Sequence, residues 1–193
     1  MRVLGISGSL RRDSFNSALL RAAAERLPAG AELVPYQRLA EIPPYDEDAE
    51  LAGVPEPVAD LRRAVREADA VLIATPEYNH SLPGQLKNAL DWVSRPAGQS
   101  ALRGKPAAAI GASTGMFGAV WAQAEARKVL GALGGRVLEA ELPVAGARQL
   151  ADEHGELQLP PPLAERLDEL LSELIAAAEQ EAGFRRERTA AAA

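Results

Sequence analysis

Apolar and polar positions fall into blocks along this chain, and the block lengths carry the first prediction. Short apolar runs occupy residues 2 to 7 (Arg-Val-Leu-Gly-Ile-Ser), 70 to 75 (Ala-Val-Leu-Ile-Ala-Thr) and 106 to 112. Such runs read as strands buried on both faces of a sheet. Residues 31 to 36 read as an edge strand, and 136 to 140 as the last main strand. Between them the apolar period lengthens to that of a helix. Residues 15 to 27 put Leu19, Ala23 and Leu27 on one face, and residues 57 to 68 do the same with Val58, Leu61 and Val65. A helix over 83 to 93 opens at Pro83, and another over 117 to 133 ends at Gly134-Gly135. Strands alternating with helices predict an α/β fold with a parallel sheet and right-handed crossovers. Beyond residue 140, Asp152-Glu-His-Gly-Glu-Leu157 resembles a hairpin tip. Pro160-Pro-Pro162 then opens a helix with Leu163, Leu167, Leu170, Leu171, Leu174 and Ile175 on its core face. From Gly183 onward no core pattern remains. The pattern therefore predicts one domain over residues 1–182 and a flexible tail over 183–193.

Composition narrows the function. The 193 residues suffice for a domain with a sizeable core, and 47% of them are hydrophobic. A net charge of −6 argues against a general nucleic-acid binder, which needs a basic face. The absence of cysteine excludes disulfides, thiol chemistry and Cys-ligated metals, and two histidines are too few for a His-rich metal site. No apolar run approaches the roughly 18 residues of a membrane span. No signal peptide is legible, so the cytoplasm is the expected location.

Three strand-to-helix junctions hold the candidate chemistry. The first, Gly8-Ser-Leu-Arg-Arg-Asp-Ser-Phe-Asn16, stands at a helix N-terminus, where free N–H groups and the helix dipole favour an anion. Ser9, Ser14 and Asn16 add neutral donors, and Arg11 adds a charged fork suited to phosphate. A plainer reading is capping by Asp13 or Ser14 with solvated arginines. The second junction, Thr75-Pro-Glu-Tyr-Asn-His-Ser-Leu-Pro-Gly84, follows the strongest strand. In Pro76-Glu77-Tyr78-Asn79, the backbone N–H groups after the proline and the Asn79 amide suit the polar edge of a flat ring. Here too a plainer reading exists, with Glu77 and Asn79 capping the helix that starts near Pro83. The third, Gly111-Ala-Ser-Thr-Gly-Met-Phe-Gly118, offers Ser113 and Gly115 and close backbone approach. Loops that follow parallel strands converge on one crevice. An anion cradle beside two ring-binding loops suggests FMN. A dinucleotide G-x-G-x-x-G is absent, and Gly98 to Lys105 fails as a phosphate loop on spacing and on Pro106. Trp92 and Trp121 read as core or interface residues. No side chain stands out as a catalytic acid or base.

On these residues the chain resembles the NADPH-dependent FMN reductase family, the group with bacterial quinone, chromate and azo-dye reductases. The likeness also rests on Pro83-Gly84, Leu86-Lys-Asn88 and Gly104-Lys-Pro106, and it runs from residue 2 to about residue 145. It implies a flavodoxin-like, doubly wound, five-stranded parallel sheet of order 2-1-3-4-5, with helices on both faces. It implies non-covalent FMN, with Ser9, Arg11, Ser14 and Asn16 on the phosphate. Pro76, Glu77, Tyr78 and Asn79 would hold the ring, with Ser113 and Gly115 on its other side. NADPH or NADH would be the co-substrate, and a quinone, azo compound, free flavin or chromate the acceptor. A homodimer or homotetramer is implied, with neither nucleic acid nor membrane as partner. The alternative is a flavodoxin-type electron carrier or a flavin-binding sensor. Many relatives carry two glycines where this chain has Gly118-Ala119, and the extra methyl is expected to narrow the approach to the ring. The acidic segment Tyr45-Asp-Glu-Asp48 is expected near the crevice or a subunit interface, shaping access.

Overall fold

In a computed structural model describing residues 1–191, the apolar runs are strands and the periodic segments helices. The first half runs β1 (Arg2–Ser7), α1 (Phe15–Glu25), β2 (Glu32–Tyr36), a 3-10 turn (Leu39–Glu41), α2 (Glu47–Ala52) and α3 (Glu56–Glu67). The second half runs β3 (Ala70–Ala74), α4 (Gly84–Val93), β4 (Pro106–Ala112), α5 (Val120–Ala132), β5 (Arg136–Val137), β6 (Pro143–Val144), α6 (Ala147–Leu150) and α7 (Pro161–Ala191). The sheet order is β2-β1-β3-β4-β5, as the resemblance implied, with every pair parallel, as the alternating pattern predicted.

Strand pleating sorts the apolar side chains into two cores. Leu4, Ile6, Val71 and Ile73 point to the face covered by α3, α4 and α5. Val3, Leu72 and Ile110 point to the face covered by α1 and α7. The predicted helix faces are correct: Leu19, Ala23, Val58, Leu61 and Val65 are buried, as are Leu167, Leu170, Leu171 and Leu174. Strand β4 is Pro-Ala-Ala-Ala-Ile-Gly-Ala, fully buried, so helices approach closely on both sides. Trp92 is fully buried and donates its indole N–H to the Pro43 carbonyl, whereas Trp121 is exposed.

Three elements differ from the sequence reading. The strand expected over 136 to 140 holds its ladder only at Arg136–Val137, plus one bond from Leu138 N–H to the Ala107 carbonyl. Residues 139 to 142 swing out toward α5, where Arg127 pairs with Glu141 at 3.0 Å. The chain returns as β6 beside Gly111–Ala112. Second, the acidic segment contains a helix, α2, capped by the Asp46 carboxylate on the Asp48 N–H. Third, α7 continues as helix to Ala191 where a tail was expected from 183. Residues 183 to 191 include three Arg, two Ala and one Glu, all good helix formers. Residues 192 and 193 of that tail lie outside the described residues. The predicted hairpin tip forms, with Ala151 bridged to Leu157.

Candidate active site

Strands β1, β3 and β4 lie side by side, so the loops leaving their C-terminal ends share one edge of the sheet. Loop one follows β1. Its Gly8 N–H bonds the Ala74 carbonyl at 2.8 Å, and a Cβ there would sit 2.8 Å from Leu86 Cδ2 and 3.3 Å from Pro76. Only glycine lets loop one pass this close to loop two. Ser14 caps α1 by accepting from the N–H groups of Asn16 and Ser17 at 3.2 and 3.3 Å. Ser9 Oγ accepts from the Arg11 N–H at 3.4 Å. Arg11 folds back on its own loop: its guanidinium donates to the Asp13 carbonyl and lies 5.1 Å from the Phe15 ring centre. The N–H groups of Leu10, Arg12, Asp13 and Ser14 have no acceptor among the described residues. Bare donors at a helix N-terminus are what an anionic group requires.

Asn16 does a different job from the one its position in the motif suggested. Its amide Oδ1 accepts from the Ala112 N–H at 2.9 Å, and its Nδ2 donates to the Ala112 carbonyl at 3.0 Å. The residue is buried and sews α1 to the end of β4. Oδ1 and one Nδ2 hydrogen are thereby occupied by backbone.

Loop two is a tight hairpin. Tyr78 and Ser81 exchange both backbone hydrogen bonds at 3.1 Å, and the residues between them, Asn79 and His80, have φ of 53° and 60°. Positive φ at both central positions marks a type I′ turn, which Asn tolerates well. Asn79 and Tyr78 are therefore exposed at the crevice mouth. Pro76 is buried behind them, and Thr75 Oγ1 donates to its carbonyl. Glu77 turns away from the ring position assigned to it. Its Oε2 accepts from the Trp121 and Ala122 N–H groups at 3.0 and 3.2 Å. Helix α5 has no cap of its own, since Ala119 stands at that position. Glu77 does cap a helix, but α5 rather than α4. Ser81 adds a second tie to α5 through Glu125, at 2.6 Å.

Loop three is pinned by elements the sequence reading missed. Ser113 N–H bonds Val144, Gly146 N–H bonds the Gly115 carbonyl and Ala147 N–H bonds the Ser113 carbonyl. The buried Gln123 holds the turn from below, donating to the Gly118 carbonyl at 3.0 Å and accepting from Leu142 N–H at 2.9 Å. Gly118 has φ 59°, and a Cβ there would lie 2.5 Å from the Pro143 carbonyl carbon. Above this frame the N–H groups of Thr114 through Gly118 have no acceptor among the described residues. Ser113 and Gly115 stand at the rim with them, and Ser113 Oγ reaches the Gly115 carbonyl at 3.4 Å.

The methyl of Ala119 does not face the crevice. It is 1% exposed, packs in the core under α5, and sits where a Cβ on Gly111 would come within 2.9 Å of it. The expectation that it narrows access is overturned, because the left-handed turn at φ 61° directs the side chain toward the sheet. The acidic segment is also placed differently. Asn88 accepts from Tyr45 N–H and donates to the Pro43 carbonyl, while Gln85 donates to Leu39 and Ile42. Arg62 and Arg95 hold Glu50. These bonds strap the segment along α3 and α4 rather than over the three loops.

Two runs of bare backbone donors stand at the same edge of the sheet, one at a helix N-terminus and one in a glycine-rich turn. That donor set suits a phosphate at one end and a ring with carbonyl and imide edges at the other, as in FMN. A sequence model of NADPH-dependent FMN reductases matches residues 1–149. The chain belongs to this family. An NAD(P)H-dependent FMN reductase of Pseudomonas aeruginosa is 45% identical over 158 residues, 81% of this chain and 84% of that one. A 2-hydroxy-1,4-benzoquinone reductase of a Burkholderia species is 43% identical over 129 residues, 67% of this chain and 69% of its own length. Among solved structures, the flavoenzyme NAD(P)H:acceptor oxidoreductase FerB of Paracoccus denitrificans superposes with a TM-score of 0.80 at 33% identity, covering 93% of this chain and 98% of that one. The NADPH-dependent FMN reductase fold is thus the flavodoxin-like one that the strand order predicted. Among the described residues no helix is long and apolar enough to cross a membrane, and no cluster of His, Asp or Glu is arranged to hold a metal.

Proposed function

We propose that this chain is an FMN-dependent oxidoreductase that transfers reducing equivalents from NAD(P)H to a small acceptor, a quinone being the best supported. The observation that carries this reading is the pair of bare N–H runs, at loop one and loop three, at one edge of the sheet. FMN, when bound, supplies the electron-transfer chemistry. The protein supplies the rest. The N–H groups of loop one and the Arg11 guanidinium, once swung off the Asp13 carbonyl, would hold the phosphate. Ser9 and Ser14 flank that cradle. Pro76, Tyr78 and Asn79 would meet the ring from loop two, and Ser113 and Gly115 from loop three. Asn16 and Glu77 act one step back, by fixing the loops. Preorganised amides also favour negative charge on the ring without a general acid. Quinone as acceptor rests on the names of relatives at 40–43% identity.

Residues 1–182 form a single functional unit in this proposal, located in the cytoplasm where NAD(P)H is made. A homodimer, or a tetramer of two dimers, is supported by the exposed side chains of Tyr78, Met116, Phe117 and Trp121 on loops two and three and the start of α5, with the Phe117 and Trp121 rings 4.8 Å apart. Apolar surface of this kind marks association sites.

The test is an anaerobic absorbance spectrum of the FMN-reconstituted protein before and after NADPH, then after a benzoquinone. Bleaching by NADPH and recovery on adding the quinone is the expected result. A flavin spectrum unchanged by either NADPH or NADH would sink the reductase reading in favour of an electron carrier. Absence of bound flavin would sink both.

A further inference from the structure

A cavity of about 490 Å³ adjoins loop one on the side away from loops two and three. It is enclosed by α1, the ends of β1 and β2, and the chain entering the 3-10 turn. In the strand order it stands on the β2 side of β1, whereas loops two and three stand on the β3 side. Its size is that of an ordinary small-molecule site.

The chemistry of the walls is uneven in an informative way. Leu20, Leu33 and Leu39 give it an apolar interior. Ser7 and Ser17, joined at 3.0 Å, put a hydroxyl pair on one wall. The chain carries a net charge of −6, yet the lining contains two arginines, Arg12 and Arg21, and no Asp or Glu. Arg21 is held in place by Glu156, both of whose carboxylate oxygens accept from its Nε at 2.9 Å. Arg12 forms no hydrogen bond or ion pair among the described residues, so its planar fork is available to a ligand. A guanidinium fork matches a carboxylate with two parallel bonds, and the leucines match an apolar body.

We infer that this cavity is a second ligand site, and that it takes an amphipathic monocarboxylate whose tail lies on the leucines and whose head meets Arg12. The site borders the proposed phosphate cradle, with which it shares Ser9, Leu10 and Arg12, and none of its lining belongs to loop two or loop three.

The experiment is a titration of the isotope-labelled full chain, FMN-loaded, with octanoate, read by amide chemical shifts. Saturable shifts are expected at Gly5, Ser17 and Leu33. Arg12→Gln is expected to weaken binding by up to roughly fivefold, as loss of one charged contact at a half-open site does. Ala24→Trp fills the cavity from the outer side of α1 and is expected to abolish binding while NADPH-driven flavin bleaching stays unchanged. Octylamine, with the same tail and opposite charge, is expected not to bind. Shifts centred on Asn79 and Thr114 would put the carboxylate in the flavin crevice and overturn the inference. So would equal binding of octylamine, or no saturable shift up to the solubility limit of octanoate. The same titration on flavin-free protein reads the cavity even if the flavin assignment fails, so the two failures can be told apart.

Discussion

Asn16→Ala separates two roles that the motif alone merges. If Asn16 were chiefly a phosphate ligand, its loss would weaken FMN binding and leave the flavin-free protein as stable as before. The structure predicts the reverse order of effects. Removing the amide strands two buried backbone groups, the N–H and the carbonyl of Ala112, which Asn16 reaches at 2.9 and 3.0 Å. Ala112 is itself 2% exposed, so water cannot replace the lost partner without opening the junction of α1 and β4. Each orphaned group costs about 1–3 kcal/mol, giving roughly 2–6 kcal/mol in all. For a domain of this length that corresponds to a fall in melting temperature of about 5–15 °C. The assay is thermal and urea unfolding of the flavin-free protein followed by circular dichroism, beside FMN titration by fluorescence quenching. Asn16→Asp is a useful companion, because a carboxylate can accept from the Ala112 N–H but cannot donate to its carbonyl. It should fall between wild type and alanine, or below both if the buried charge dominates. A flavin-free melt unchanged in Asn16→Ala, with FMN affinity alone reduced, would refute the reasoning.

Three other perturbations test neighbouring parts of the argument. Gly118→Ala forces a methyl to within 2.5 Å of the Pro143 carbonyl carbon at φ 59°, and should destabilise by about 2–4 kcal/mol in urea unfolding. Arg11→Ala should weaken FMN binding by roughly tenfold or more, from loss of one charged hydrogen bond, and barely move the flavin-free melt. Burial alone would raise the Glu50 carboxyl, but hydrogen bonds from Arg95 and Arg62 outweigh it and hold Glu50 below the ordinary carboxylate range. A lowered folded value means that its stabilisation is present above the unfolded value and is lost as pH falls through the folded one. Unfolding curves from neutral pH down into the acid range should thus lose stability less steeply in Glu50→Gln than in wild type, from a lower starting point at pH 7.

The parts of this molecule that were legible in sequence are those decided by local pattern. Runs such as Ala70–Ala74 have no polar member to misplace them, and Leu167, Leu170, Leu171 and Leu174 can share only one helical face. The crevice was legible because loops after parallel strands must meet. What escaped was decided by contacts between distant residues. Asn16 and Ala112 are 96 residues apart, and Glu77 and Trp121 are 44 apart. Asx and Glu side chains near a loop look alike in sequence whether they meet a ligand or another loop's backbone. β6 and α6 are two and four residues long, too short for any period to appear. Helix α2 had a usable signal, the Asp46 cap with acidic residues in the first turn, but the preceding prolines made the segment read as a loop.

The proposed reliance on main-chain N–H groups has a consequence for how such an enzyme can change over generations. An amide is present whatever residue the codon specifies, proline excepted, so a point mutation at Leu10, Thr114 or Met116 leaves the donor in place. Selection for a new acceptor can then remodel the tips, Tyr78, Asn79, Met116 and Phe117, without discarding the prosthetic group. The mutational burden falls instead on the few residues that sew loop to loop, Asn16, Glu77, Gly118 and Gln123. A lineage could diversify its substrates widely while those four stay still, and drift at any of them would cost it the cofactor and the fold together.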